Sequence, residues 1–537
     1  MSSLMKGTAI LTIGLFLSKV LGLIYVFPFY SIVGEENIGL YQYSYVPYNI
    51  MLSIAISGLP IAVSKFVSKY NALGDYEAGR RLFKSGVVVM LITGVLSFLL
   101  LNLLADPIAN VVIKDNEQIF TVEQIASVIN WVSFALLVVP FMSLIRGFFQ
   151  GYNEYMPTSV SQLVEQIVRI IVLLGGSFTV VVLLKGTPIT AIKFAVFAAF
   201  VGALGGLVVL YYYWKKFKPQ YNTLLESNVS SGELSYIGIY KEILQSSIPI
   251  VFVGMSNSLF QLIDMLTFNS AMTSIGLAKV TDTYLAMLNF LSHKIVIIPV
   301  MLATGFSMAL IPTITKHFTL GEFTVLRNAM DKTYQVLLFI TIPASIGIAT
   351  LAPDIYHVLY EQSEKGAEVL AHYAPVAILF ALFSVTAAIL QGIDYQKWII
   401  FSLLTGLLVK LMLNTPLVKV MEVDGAILAT AIGYIVTVLI NIVVIHKVLQ
   451  YRSKLVFRRT ILICILTVVM MIAVIIVNKL LYLIAEPTNK WIAILYLLIC
   501  VSVGAVVYGA LSYRLGLAQK LLGERITKLA NKIGLKK

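Results

Sequence analysis

The chain has 537 residues, of which 59% are hydrophobic and 12% charged, and its mean hydropathy is +0.91. Soluble domains carry about twice that share of charge, so too little polar side chain is present to cover a water-facing body, which excludes a soluble enzyme, an ordinary nucleic-acid-binding domain and a disordered scaffold. The formal net charge of +13 therefore asks where cations sit relative to a membrane.

Runs of about 20 mainly apolar residues, the length needed to cross a bilayer, predict an all-α polytopic membrane protein with fourteen spans. In chain order they lie at 8–32, 44–67, 85–105, 124–148, 159–183, 189–213, 243–268, 284–311, 329–352, 368–391, 397–418, 425–446, 460–484 and 491–513. No cleavage signature precedes the first run, which reads as a retained span. Most of the 39 Lys+Arg fall on the even-numbered connections and the two termini, including Lys65, Lys69, Arg80, Arg81, Lys84, Lys215, Lys216, Lys218, Arg458 and Arg459. The other side carries an acidic excess. This asymmetry predicts a cell-membrane protein with both termini cytoplasmic. Cys464 and Cys500 lie inside apolar runs and read as small core hydrophobes, with no disulfide or metal framework. The tail 515–537 sets leucines and isoleucines against lysines and reads as an amphipathic basic helix on the inner leaflet.

The chain repeats itself. Gln150-Gly151 closes span 4 and Gln391-Gly392 closes span 10, 241 residues apart, and at that offset Arg169 meets Lys410. Gly58-Leu-Pro-Ile-Ala62, Lys69 and Gly74-Asp75 match Gly305-Phe-Ser-Met-Ala309, Lys316 and Gly321-Glu322 at an offset of 247. Spans 1–6 and 7–12 are thus parallel repeats, related by an axis along the membrane normal. The expected organisation is an N-lobe at 1–213, a basic linker at 214–242, a C-lobe at 243–447, an additional pair of spans at 458–514 and the tail at 515–537. Twin six-helix lobes imply alternating access to a site between them.

Charges inside spans are costly unless they face a cavity or a partner. Lys19, Glu165, Arg169, Asp264, Lys294 and Lys410 stand out. Glu165 and Arg169 share a helix face four residues apart, which fits a self-neutralising pair as well as a cavity site. Lys410, the repeat mate of Arg169, has no acid one turn away. Spans 1, 2, 7 and 8 are the polar spans of the two repeats, and Lys19 and Lys294 on two of them, with Asn49 and His293 among the nearby polar residues, point to an anionic substrate such as a diphosphate. Asp264 with Asn414 and Thr430 offers the oxygens a small hard cation wants, and pairing of Asp264 with a lysine is the alternative. No GxxxxGK[ST] motif and no hydrolytic constellation is present. The chain reads as a transporter, not an enzyme, driven by an ion gradient, the membrane potential or substrate concentration.

These features resemble the multidrug/oligosaccharidyl-lipid/polysaccharide exporter superfamily, and within it the MurJ-type lipid II flippases of the Gram-positive branch. The resemblance rests on Lys6-Gly-Thr-Ala-Ile, Ser18-Lys19-Val20-Leu21-Gly22, the Gly58 to Gly74 segment and Ile311-Pro312-Thr-Ile-Thr-Lys316, and it covers the whole chain. It implies movement of undecaprenyl-diphosphate-linked MurNAc-pentapeptide-GlcNAc from the inner to the outer leaflet for cell wall synthesis. It places Lys19, Asn49 and His293 or Lys294 in the substrate cavity. Tyr25 and Leu52 stand where the family's further basic residues are. Asp264, Asn414 and Thr430 match a sodium site whose second Asp position is Val418 here, so coupling to the membrane potential is favoured over Na⁺. Beyond lipid II, the expected partners are membrane lipids and cell wall synthesis or division proteins, with no nucleic acid and no cofactor. The competing readings are a flippase for another undecaprenyl-linked polysaccharide unit, a cation-coupled multidrug exporter and a non-transporting scaffold.

Overall fold

The computed structural model describes residue 14 and residues 17–522, apart from 57, 116, 230–240, 242–247, 452, 485, 487 and 488, and the backbone alone at 302–310 and 312. The Lys6 motif and most of the basic tail lie outside the described residues. The described secondary structure is helical throughout. Eleven helices are long and apolar enough to cross a bilayer. A bent pair, Ile248–Gly254 and Ser256–Thr273, meets at 57° and makes a twelfth. The shorter helix Leu17–Val33 falls on expected span 1. The 54-residue helix Gln396–Leu449 is interrupted at Glu422, whose φ of +52° is non-helical. Its two arms pair antiparallel: Ser402 Oγ donates to Asn441 Oδ1 (2.7 Å) and Lys410 Nζ to Thr430 Oγ1 (2.8 Å). Spans 11 and 12 are thus a helical hairpin, which closes the correspondence with the fourteen expected runs.

Several spans exceed their apolar runs. Span 2 begins at Glu35 rather than 44 and breaks at Gly58, in the left-handed region at φ +70°. Span 3 runs Tyr76–Val112, its first turn capped by the Asp75 carboxylate, which accepts from Ala78 N. Span 6 runs Pro188–Glu226, so the first half of the expected linker is helix. Polar ends do not stop a helix whose backbone bonds are already satisfied within it, and this makes hydropathy a poor ruler for span ends.

Backbone contacts gather the chain into two compact units, 1–283 and 284–537. In the first, the aromatic rings of Phe83, Phe148 and Trp214 stack at the ends of spans 3, 4 and 6. In the second, spans 13 (Lys454–Ile484) and 14 (Lys490–Arg514) pack on each other, with Gly504 against Val474 and Met470, and on span 9. Tyr508 Oη donates to the Phe339 carbonyl at that seam (2.9 Å). Large apolar side chains such as Leu96, Leu103, Leu483 and Leu498 are exposed, as lipid-facing surfaces require. Cys500 is buried, but Cys464 is exposed and is no core residue: an apolar run in a span faces lipid as readily as protein.

The repeat is visible in the packing of each unit. A Cβ on Gly151 would meet Val67 Cβ at 2.7 Å and Ser64 O at 3.1 Å. A Cβ on Gly392 would meet Ile314 Cβ at 2.8 Å and Ile311 O at 3.3 Å. These are equivalent residues at the two offsets. Asn153 and Asp394, also equivalent, both have positive φ, and the following N–H closes the same turn, Glu154 to Phe149 O and Tyr395 to Leu390 O, each at 2.9 Å. Gly74 and Gly321 repeat the left-handed turn after spans 2 and 8.

Candidate functional site

In the first unit, span 5 (Met156–Phe178) carries both Glu165 and Arg169, but the two do not pair. Glu165 Oε2 accepts from Arg146 Nη2 at 2.8 Å, and Arg146 Nε donates to Ser161 Oγ at 2.9 Å. Arg169 turns instead to span 2, donating to Tyr45 Oη and to Tyr41 Oη (3.4 Å). Its guanidinium stands over the Tyr45 ring at 5.2 Å and the Tyr25 ring at 6.0 Å. Tyr41 stacks on Tyr45 at 4.5 Å and bonds Tyr25 Oη at 2.9 Å. Aromatic faces and hydroxyls suit the planar, weakly hydrated guanidinium. They hold its charge without cancelling it, since no carboxylate lies within ion-pair distance among the described residues.

Span 1 docks on span 5 through Ser18, whose carbonyl accepts from Gln166 Nε2 at 3.3 Å, and through Gly22, which leaves no room for a Cβ beside that amide. Lys19, next to Ser18, is exposed. Asn49 is half-buried on span 2, with its carbonyl accepting from Ser53 Oγ. Asp264 is buried in Ser256–Thr273.

In the second unit, span 8 contains a π-helical segment, Met287–Ser292, immediately before His293 and Lys294. Such segments are frequent at functional sites. His293 Nδ1 bonds Tyr373 Oη at 3.0 Å, and Lys294 stands over the Phe290 ring at 5.5 Å. Lys410 is fully buried, and Thr430 accepts its ammonium. Thr430, expected among the oxygens for a cation, thus contacts a lysine here. Asn414 is buried one turn further along span 11.

A second buried constellation went unread in the sequence. Asp282, on the helix Ala278–Ala286 that leads into span 8, accepts at Oδ1 from Tyr43 Oη (2.6 Å), Asn269 Nδ2 (3.4 Å) and Gln118 Nε2 (3.5 Å). Its Oδ2 accepts from Ile119 N (3.0 Å). Asn269 also donates to Tyr43 Oη and the Val112 carbonyl. One carboxylate therefore ties together span 2, the segment after span 3 and span 7.

The family model for polysaccharide biosynthesis proteins matches residues 4–318. The lipid II flippase MurJ of Bacillus subtilis (strain 168) is 45% identical over 98% of both chains. The chain belongs to the polysaccharide biosynthesis protein family, in its MurJ branch. Stage V sporulation protein B of the same organism is a more distant family relative, 24% identical over 84% of this chain and 85% of its own. A solved lipid II flippase MurJ in an inward closed conformation matches with TM-score 0.63 and 16% identity, covering 94% of this chain and 98% of that one. An inward-facing multidrug resistance MATE family transporter matches with TM-score 0.66 and 14% identity, covering 81% and 94%. These structural likenesses fix the fold that this family member shares.

Of the residues the sequence nominated, the structure joins Lys410 to Thr430 and separates Glu165 from Arg169. Arg146 lies within the run of span 4, and nothing in its spacing marks it as the partner of Glu165. Asp282 read as one more acid of a connection, because three separate chain segments supply its donors.

Proposed function

We propose that this protein is a flippase that moves lipid II, the undecaprenyl-diphosphate-linked peptidoglycan precursor, from the inner to the outer leaflet by alternating access. The reading is carried by the near full-length 45% identity to a lipid II flippase. The intramembrane cations agree with it. Arg169 is held by tyrosines rather than by an acid, and Lys19 adds positive charge in span 1, the charge that a diphosphate seeks. The membrane supplies the apolar environment for the polyprenyl chain, with spans 13 and 14 as its guide. Both termini are placed in the cytoplasm on the distribution of Lys and Arg. Coupling is assigned to the membrane potential, since Val418 stands where the second Asp of a sodium site would be.

The test is reconstitution. Proteoliposomes containing the purified chain should expose fluorescent lipid II to an external quencher or a glycan-cleaving enzyme well above protein-free vesicles, and a cationic dye should not be moved. Dye transport without lipid II movement would favour the drug-exporter reading. Movement of other undecaprenyl-diphosphate glycans at equal rate would widen the substrate class.

A further inference from the structure

At one end of the second unit, three side chains that the transport reading does not use converge. Glu368 and His372 lie four residues apart on one face of the helix Glu364–Tyr373. Asp424 comes from the break between spans 11 and 12, two residues after Glu422, where the positive φ turns the chain. His372 Nδ1 and Asp424 Oδ1 are 2.8 Å apart, and one ligand atom from each of the three lies within 4.8 Å of the others. Lys365 Nζ lies 3.0 Å from Glu368 and 3.8 Å from Glu422. Glu368, Glu422 and Asp424 thus outnumber the one lysine beside them. Beside His372 and Asp424 lies an open apolar groove of about 430 Å³ walled by Val376, Leu379, Met421 and Ile427.

We propose that Glu368, His372 and Asp424 form a binding site for a divalent cation of the zinc type. An imidazole nitrogen with two carboxylate oxygens is a donor set that zinc accepts at bonds of about 2.1 Å, with a fourth position left to water. Imidazole disfavours Mg²⁺ and Ca²⁺. Tetrahedral ligands at such bond lengths stand roughly 3.4 Å apart, so closure needs only small rotations of Glu368 and His372, both exposed side chains. The bound cation would join span 10 to the turn of the 11–12 hairpin, at the outer face in the orientation proposed above. The binding itself does not depend on lipid II transport.

The experiment uses the full chain, without a histidine tag, in detergent at neutral pH, dialysed against micromolar ZnCl₂ and against MgCl₂ as control. The wild-type chain should retain one more Zn²⁺ than His372→Ala or Asp424→Asn, and Glu368→Gln should bind about tenfold more weakly. X-ray absorption should show nitrogen and oxygen ligands with no sulphur. Zinc should raise the melting temperature of the wild type but not of the variants. Should His372→Ala fail to yield a monodisperse protein, His372→Gln, which keeps a hydrogen bond to Asp424, makes the same comparison. Equal zinc content across wild type and variants, or none in the wild type, would overturn the site and leave His372 and Asp424 as an ion pair only.

Discussion

Two arginines inside spans meet the cost of a buried charge in different ways. Arg146 is neutralised by Glu165 and anchored by Ser161, so it ties span 4 to span 5. Removing one partner of such a pair leaves the other charge poorly compensated. Because Glu165 keeps some exposure, Arg146→Ala should cost about 2 kcal/mol, and a second change, Glu165→Gln, should restore part of it. Thermal unfolding of the single and double variants in detergent checks this, and additive losses would contradict it. Arg169 is instead held by π-faces and phenolic oxygens. Arg169→Ala should reduce lipid II transport at least tenfold while leaving insertion intact. Arg169→Lys should rescue poorly, because an ammonium does not stack as a guanidinium does. Asp282 accepts from four donors, and charge-assisted bonds are the strong ones. Asp282→Asn points an amide donor at those donors and should cost about 2–3 kcal/mol, read as a lowered melting temperature.

At the scale of elements, turns and close approaches were legible in the sequence while partners were not. Gln150-Gly151 and Gln391-Gly392 marked equivalent turns because glycine there is set by backbone proximity, a local requirement that leaves a trace in the residue itself. The hairpin of spans 11 and 12 behaves likewise: a Cβ on Gly406 would meet Thr437 Oγ1 at 2.0 Å and Gly433 O at 2.5 Å. Gly406→Ala should therefore pry the arms apart, disturb the Lys410–Thr430 bond and lower the yield of folded protein, whereas the same change at the open position Gly175 should be silent. Side-chain pairing leaves no such trace. The spacing of Glu165 and Arg169 shows that they share a face but says nothing of Arg146 arriving from span 4. The separation of 52 positions from His372 to Asp424 hides a contact that only the hairpin creates.

At the scale of the whole molecule, the sequence reading of an all-helical polytopic membrane protein agrees with the structure, because hydropathy is a property of long segments that single contacts do not alter. Span ends were less legible, as the extension of span 6 to Glu226 shows. The pair of spans 13 and 14 makes a separable prediction. Gly504→Leu, where span 14 packs against Val474 and Met470 of span 13, should reduce transport without preventing membrane insertion, measured by flipping in vesicles against protein recovered in the membrane. Full transport with the two helices wedged would remove them from the path of the lipid chain.

The account rests on lipid II crossing the membrane through this protein. Its most direct test is leaflet-resolved detection of lipid II in cells depleted of the protein, with rescue by the wild-type chain, Lys19→Ala and Arg169→Ala. Accumulation of lipid II on the inner leaflet, reversed by the wild type and not by the two variants, is the predicted result. Undiminished arrival of lipid II at the outer leaflet after depletion, in cells with no other flippase, would contradict it.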